Sequence, residues 1–227
     1  MPTGVIINTL SILTGSWVGC LISKHIPKRF QEVLPVLFGY CAMAIGINSI
    51  IKVSALTVPV IAVLAGYCVG GLLKLEERCH RMLKKLLPRL VRGAENIDMT
   101  AYITVVALFC FSGFGWYGVL SESIGGVSDI LYAKSVLDFF TAVLFAALLG
   151  KSVCLIPIGQ VIVFTLLFLA GKLIAPLTDA VMFSHLTACG GILTLATGFR
   201  VAKVKTVPVI DMMPALILVL ILSKVMP

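Results

Sequence analysis

The sequence predicts an all-α membrane protein with about eight spanning helices and an inverted internal repeat, and three observations lead there. Apolar residues fill 59% of the 227 positions and charged residues 12%, whereas soluble domains are about half apolar and a quarter charged. The mean hydropathy is +1.10. The apolar residues are also gathered into runs close to the roughly 20 residues that cross the hydrocarbon of a bilayer.

The runs cover roughly 3 to 23, 33 to 51, 56 to 74, 101 to 120, 133 to 150, 153 to 174, 183 to 200 and 206 to 225. Backbone amides in lipid must find partners within the segment, and these runs lack the two-residue alternation of barrel strands, so helices are expected. The first run has no Lys or Arg before it and is followed by Lys24, Lys28 and Arg29. That order suits an uncleaved helix entering from outside.

Assigning loops alternately to two sides places 14 of the 18 Lys and Arg together, including the seven from Lys74 to Arg92 and Arg200, Lys203 and Lys205. The positive-inside rule then puts both termini outside, and the net charge of +8 reflects topology rather than a nucleic-acid partner. The hydrophilic segment 74–98 carries Leu75, Cys79, Met82, Leu83, Leu86 and Leu90 on one helical face and basic residues around it. It reads as an amphipathic helix on anionic lipid at the inner surface, with residues 74–92 as the lipid contact.

The seven cysteines stand singly and the histidines are at 25, 80 and 185, with no metal-ligand spacing, so neither a disulfide framework nor a metal or cofactor is expected. A shift of 152 aligns Gly19 with Gly171, Gly39 with Gly191, Ala44 with Ala196 and Gly46 with Gly198. After a three-residue gap, Thr57-Val-Pro-Val-Ile61 matches Thr206-Val-Pro-Val-Ile210. Unit one, 3–74, thus maps onto unit two, 153–225, five helices later; an odd displacement inverts the copy, an arrangement recurrent in secondary transporters. Segment 101–150 supplies the central spans and a Gly-rich turn, and the whole chain forms one membrane domain. The pairs Gly15/Gly19 and Gly66/Gly70 provide close-packing GxxxG steps.

Ionisable groups inside a membrane are costly and become the candidate site. Lys134 and Asp138, spaced i, i+4, can neutralise each other on one helical face. The glycines of Ser112-Gly113-Phe-Gly115 suggest a broken helix whose freed backbone groups line a cavity, while Glu122 and Asp129 make the outer mouth attractive to cations. Asp211, in the last run ahead of Pro214, is a candidate titrating carboxylate; Asn8 and Asn48 are further polar candidates, Asn48 aligning with Arg200 in the repeat. Ser112 and His185 form the one Ser and His combination to test for nucleophilic catalysis, but no flanking motif supports an enzyme.

Together the Asn8 segment, Phe111-Ser-Gly-Phe-Gly115, Lys134-Ser-Val-Leu-Asp-Phe-Phe140, Leu195-Ala-Thr-Gly-Phe-Arg200 and Pro208-Val-Ile-Asp-Met-Met-Pro214 resemble the YqgA/YdfK-type bacterial membrane proteins, domain-of-unknown-function family 554. The resemblance spans essentially the whole chain. It implies a bacterial plasma-membrane location and a loose transport label, with no substrate. One departure is Asp211, where a relative in that family carries Asn, which weighs against an essential acid and leaves a polar role.

The functional expectation is a secondary transporter or exporter of a small polar or ionic solute, bound between the inverted units. A channel and a non-transporting scaffold are the alternatives. The lack of GxxxxGK[ST] excludes a built-in ATPase motor of that type. Association into a homo-oligomer is expected, without an assigned interface.

Overall fold

A computed structural model of the chain describes residues 2–23, 27–53, 55–90 and 99–226. Lys24, His25 and the 91–98 part of the basic segment, with Arg92, lie outside the described residues, as do the side chains of Lys28, Leu86, Arg89 and Leu90. The helices are α1 (Thr3–Ile22), α2 (Lys28–Ile50), α3 (Thr57–Leu73), α4 (Leu75–Leu90), α5 (Met99–Cys110), α6 (Gly113–Gly125), α7 (Asp129–Leu149), α8 (Ile156–Ile174), α9 (Ala180–Val201), α10 (Val209–Met212) and α11 (Ala215–Val225). Among the described residues there is no strand.

The side-chain distribution reverses that of a water-soluble bundle. Helix α1 buries Gly4, Asn8, Gly15, Ser16 and Gly19 and turns Leu10, Trp17 and Leu21 outward. Leu72 and Leu173 are 85% and 80% exposed. In water such a surface would drive association; against acyl chains it costs nothing, and packing falls to small and polar residues.

Close packing fixes the helix directions. Gly4 lies against Leu131, Gly15 against Phe139 and Gly19 against Val143 and Ala146, so α1 and α7 run parallel with backbones touching. Helix α8 runs back along α1, since Gln160 meets Asn8 while Phe164 and Phe168 pack with Val5. The reversal follows Gly150, whose φ of 69° ends α7 and leads into a 3-10 turn over Gly150–Leu155. Helices α2 and α9 are antiparallel, with Gly39 on Gly198 and Gly46 on Gly191; α3 is antiparallel to α10 and α11, with Gly66 on Ala215 and Gly70 on Asp211.

One end of the bundle gathers the ends of α1, α3, α7 and α9. There the Tyr102 hydroxyl donates to the Ser152 carbonyl at 3.0 Å, and Arg200 meets Glu76 of α4. This end also carries Lys74, Lys151, Lys203 and Lys205 and is called the basic end below. Helix α4 turns away from α3 by 48° at Lys74 and packs Leu83 into a cluster with Tyr102 and Ile103 of α5.

Five helical segments among the described residues are long and apolar enough to cross a membrane: Thr3–Ile22, Glu32–Ile50, Ala101–Gly125, Asp129–Leu177 and Ala180–Val201; the bent pair α3 and α4 makes six if taken as one span. The eight runs of the sequence differ from this set in two places. Asp129–Leu177 contains two runs that fold back at the Gly150 turn. The last run is broken before Ala215, because Pro214 lacks an N–H, and α11 alone has 11 residues, short of the roughly 20 a span needs.

The α2–α9 contact leaves no room for a side chain. A Cβ on Gly46 would meet the Gly191 carbonyl oxygen at 2.7 Å and the Leu195 nitrogen at 2.8 Å, whereas one on Gly71 meets nothing within 4 Å. Gly46→Leu should therefore destabilise by about 1–3 kcal/mol, read as a lower thermal midpoint of the purified protein. Gly71→Leu should leave the midpoint in place, and equal midpoints for both variants would contradict this packing.

Candidate functional site

Helices α5 and α6 belong to one apolar segment interrupted at Phe111 and Ser112. Ser112 is extended, with φ −81° and ψ 140°, and starts α6 as its N-cap by accepting the Gly115 N–H at 3.1 Å. The break frees the Cys110 carbonyl, which accepts the Trp116 indole N–H at 3.1 Å. Gly113 and Gly115 are required by crowding: a Cβ would lie 2.7 Å from Leu193 at the first, and 2.7 Å from Phe164 and 2.9 Å from the Lys134 side chain at the second.

Beside this break lies a buried polar network joining three helices. Lys134 and Asp138 of α7 are 2% and 7% exposed and form an ion pair through Nζ and Oδ2. Phe109 and Phe164 flank the ammonium, with ring centroids 5.9 and 6.0 Å from Nζ. Asp138 Oδ2 also accepts from Asn8 Nδ2 at 2.8 Å. Asn8 Oδ1 in turn accepts from Gln160 Nε2, and Thr9 Oγ1 donates to Gln160 Oε1 at 3.2 Å. Each partner thus holds the next in position, which is how a buried charge pair recovers part of its desolvation cost.

The structure therefore brings together Asn8, Ser112, Gly113, Gly115, Lys134 and Asp138. It does not bring the other three candidates to them. Glu122, at the far end of α6, accepts at Oε1 from Thr3 Oγ1 (3.0 Å), Gly4 N (2.7 Å) and Ser128 Oγ (3.0 Å), tying the start of α1 to the α6–α7 turn; its Oε2 is buried without a partner. Asn48 is exposed near the end of α2. Asp211 sits at the basic end, where Oδ1 accepts the Glu76 N–H at 2.8 Å, and Glu76 holds Arg200 at 2.7 Å. His185 pairs with Ser223 at 2.8 Å rather than with Ser112.

Gln160 was not among the sequence candidates, although its signal was present: the repeat register of 152 aligns it with Asn8. The Glu76–Arg200 pair left no such trace, because its partners, 124 residues apart, do not align under that shift.

A cavity of about 620 Å³ runs between α2, α5, α7 and α9 from the basic end to Ser112. Arg200, Lys203 and Thr206 line it at the basic end, its walls are mainly apolar, and Ser112 and Thr141 stand at its inner limit, Thr141 one helical turn from Asp138. Apolar walls with a few placed polar groups are the usual make-up of a small-molecule site.

Residues 3–224 match the family model described as "Protein of unknown function (DUF554)". Among similar proteins, the "Uncharacterized protein YqgA" of Escherichia coli (strain K12) is 38% identical over 227 residues, covering 98% of this chain and 97% of the relative. The "Uncharacterized membrane protein YdfK" of Bacillus subtilis (strain 168) is 25% identical over 222 residues, covering 95% and 93%. No solved structure matches this chain.

Removing one member of the ion pair leaves the other charge buried and uncompensated, a loss of about 3–5 kcal/mol, whereas replacing both by apolar residues is often neutral. Lys134→Met and Asp138→Leu should each lower the thermal midpoint strongly, and the double variant should recover most of the loss. Additive losses in the double variant would show that the two charges do not compensate each other.

Proposed function

We propose a transport function for this chain, which belongs to the DUF554 family of proteins of unknown function. In this reading it is a secondary transporter or exporter of a small polar or ionic solute, and the carrying observation is the cavity that reaches the Ser112 break beside the Lys134–Asp138 pair. At the opposite end, the packing of α1 on α6 and α7 around Glu122 closes the path. A pocket that runs from one end of the bundle to a broken helix beside buried charges fits one state of an alternating-access carrier.

The inverted repeat supplies the second state. Three contacts support it, each between positions that the repeat makes equivalent or exchanges. Asn8 bonds Gln160, its own counterpart at a shift of 152. Gly39 on Gly198 is mirrored by Gly191 on Gly46 in the same register, and Gly66 meets Ala215, its counterpart at the later shift of 149. These contacts fit one pseudo-twofold axis in the membrane plane. The reading then has eight crossings, with the fourth broken at Ser112 and the eighth at Pro214.

The positive-inside rule makes the basic end cytoplasmic, both termini external and the present conformation inward-open. The basic face of α4 would lie on anionic headgroups of the plasma membrane. No catalytic step is assigned to Ser112 or His185. Glu122 and Asp211 become fasteners of the two ends, and the solute site contracts to the residues around the break.

Reconstituted liposomes loaded with unlabelled organic acids, amino acids or nucleosides test the reading by counterflow. At least one labelled solute should accumulate with the wild type, and Asp138→Asn, if folded, should slow it about tenfold or more. Absence of counterflow for every class with folded wild type would favour a non-transporting scaffold.

A further inference from the structure

The cavity also carries information about the charge of what enters it. Lys203 adopts a left-handed backbone conformation with φ 58° directly after α9, closed by Lys203 N to the Arg200 carbonyl at 3.1 Å. Glycine fills such a position without steric cost, and a lysine does not. Lys74 ends α3 in the same conformation; Lys203 differs in standing at the cavity, where its side chain is retained at that cost.

The charged groups at the cavity agree in sign. No Asp or Glu lines the cavity among the described residues. Glu76, just outside it, is spent on Arg200 at 2.7 Å and on the Ile210 N–H at 3.3 Å, and Asp211 is spent on the start of α4. At the inner limit the Ser112 oxygen accepts from Gly115, so its own proton remains to be donated. The first N–H groups of α6 point the positive end of that helix in the same direction. Thr141 and Thr197 give their protons to the Leu137 and Leu193 carbonyls and keep only acceptor oxygens, so the Ser112 hydroxyl is the donor on which an anion at the inner limit depends. Phe38, Phe111 and Phe145 make the walls between mouth and floor apolar.

We propose that the cavity binds an organic anion, with a carboxylate or phosphate group on an apolar body. Lys203 draws the anion to the mouth, the phenylalanine walls receive its body, and the Ser112 hydroxyl with the start of α6 receives the charged group. The cavity is the one invoked for transport, but the anion assignment is tested by binding alone. The same chemistry describes a free organic acid and the headgroup of an anionic lipid entering from the bilayer.

The test uses the full chain in nanodiscs of zwitterionic lipid, with Trp17→Phe leaving Trp116, four residues from Ser112, as the fluorescent reporter. Phenylacetate and phenethylammonium share an apolar body and differ in charge. Phenylacetate should quench saturably and phenethylammonium should not. Lys203→Gly should weaken phenylacetate about fivefold while raising the thermal midpoint by about 2 °C, a combination that a purely structural lysine cannot give. Ser112→Ala should weaken it as well; its cap loss makes Lys203→Gly the deciding variant. If phosphatidylglycerol in the nanodisc competes with phenylacetate, the natural anion is a lipid; if it does not, the anion is a soluble acid. Equal binding of the cation, no binding of the anion, or unchanged affinity in Lys203→Gly would overturn the proposal. Anion binding without counterflow would overturn transport and leave this inference standing, and counterflow of a cationic solute indifferent to Lys203→Gly would do the reverse.

Discussion

A lysine and an aspartate held out of water inside an apolar bundle set the conditions for everything around them. Each charge alone would cost several kcal/mol there. Lys134 and Asp138 share a helical face one turn apart, so the pair is local, but it is satisfied only by parts brought from elsewhere. Asn8 comes from α1, Gln160 supports Asn8 from α8, and two phenylalanine rings from α5 and α8 flank the ammonium. The parallel contact of α1 with α7 and the return of α8 after Gly150 are therefore conditions of the charge pair as well as features of the fold.

Glycine makes these approaches possible. Without water to drive helices together, association rests on backbone proximity and polar contacts. Gly15 and Gly19 bring α1 onto α7, and Gly39, Gly46, Gly191 and Gly198 bring α2 onto α9. In the second set the glycines of each helix are seven residues apart, so the spacing matches across the antiparallel contact. The break at Ser112 depends on Gly115 in another way, since any side chain there would occupy the space of Lys134 and Phe164.

Much of this was legible in the sequence. Hydropathy marks the helices, since a backbone in lipid has few alternatives, and the Lys134–Asp138 pair and the Ser112 break are each encoded locally, within a few residues. Partners supplied across long separations were harder to read. Asp211 looked like an acid inside the last span, yet Pro208 and Pro214 hold it in a short helix at the basic end, where it caps α4. Glu122 looked like part of an outer mouth and instead fastens α1 through Gly4. Asn48 is polar by composition and faces outward. Pattern alone gives a residue's cost in the membrane, and only the fold says which partner meets that cost.

The central claim is that water reaches the break at Ser112 from the basic end and from no other. Ser112→Cys in a background without the native cysteines tests it directly, because maleimides react with the thiolate and need a hydrated thiol. A membrane-impermeant maleimide should label this cysteine in inside-out vesicles, should fail in right-side-out vesicles, and should be slowed by phenylacetate in the first case. Labelling from the outer side, or from neither side, would contradict an inward-open cavity at the buried charge pair.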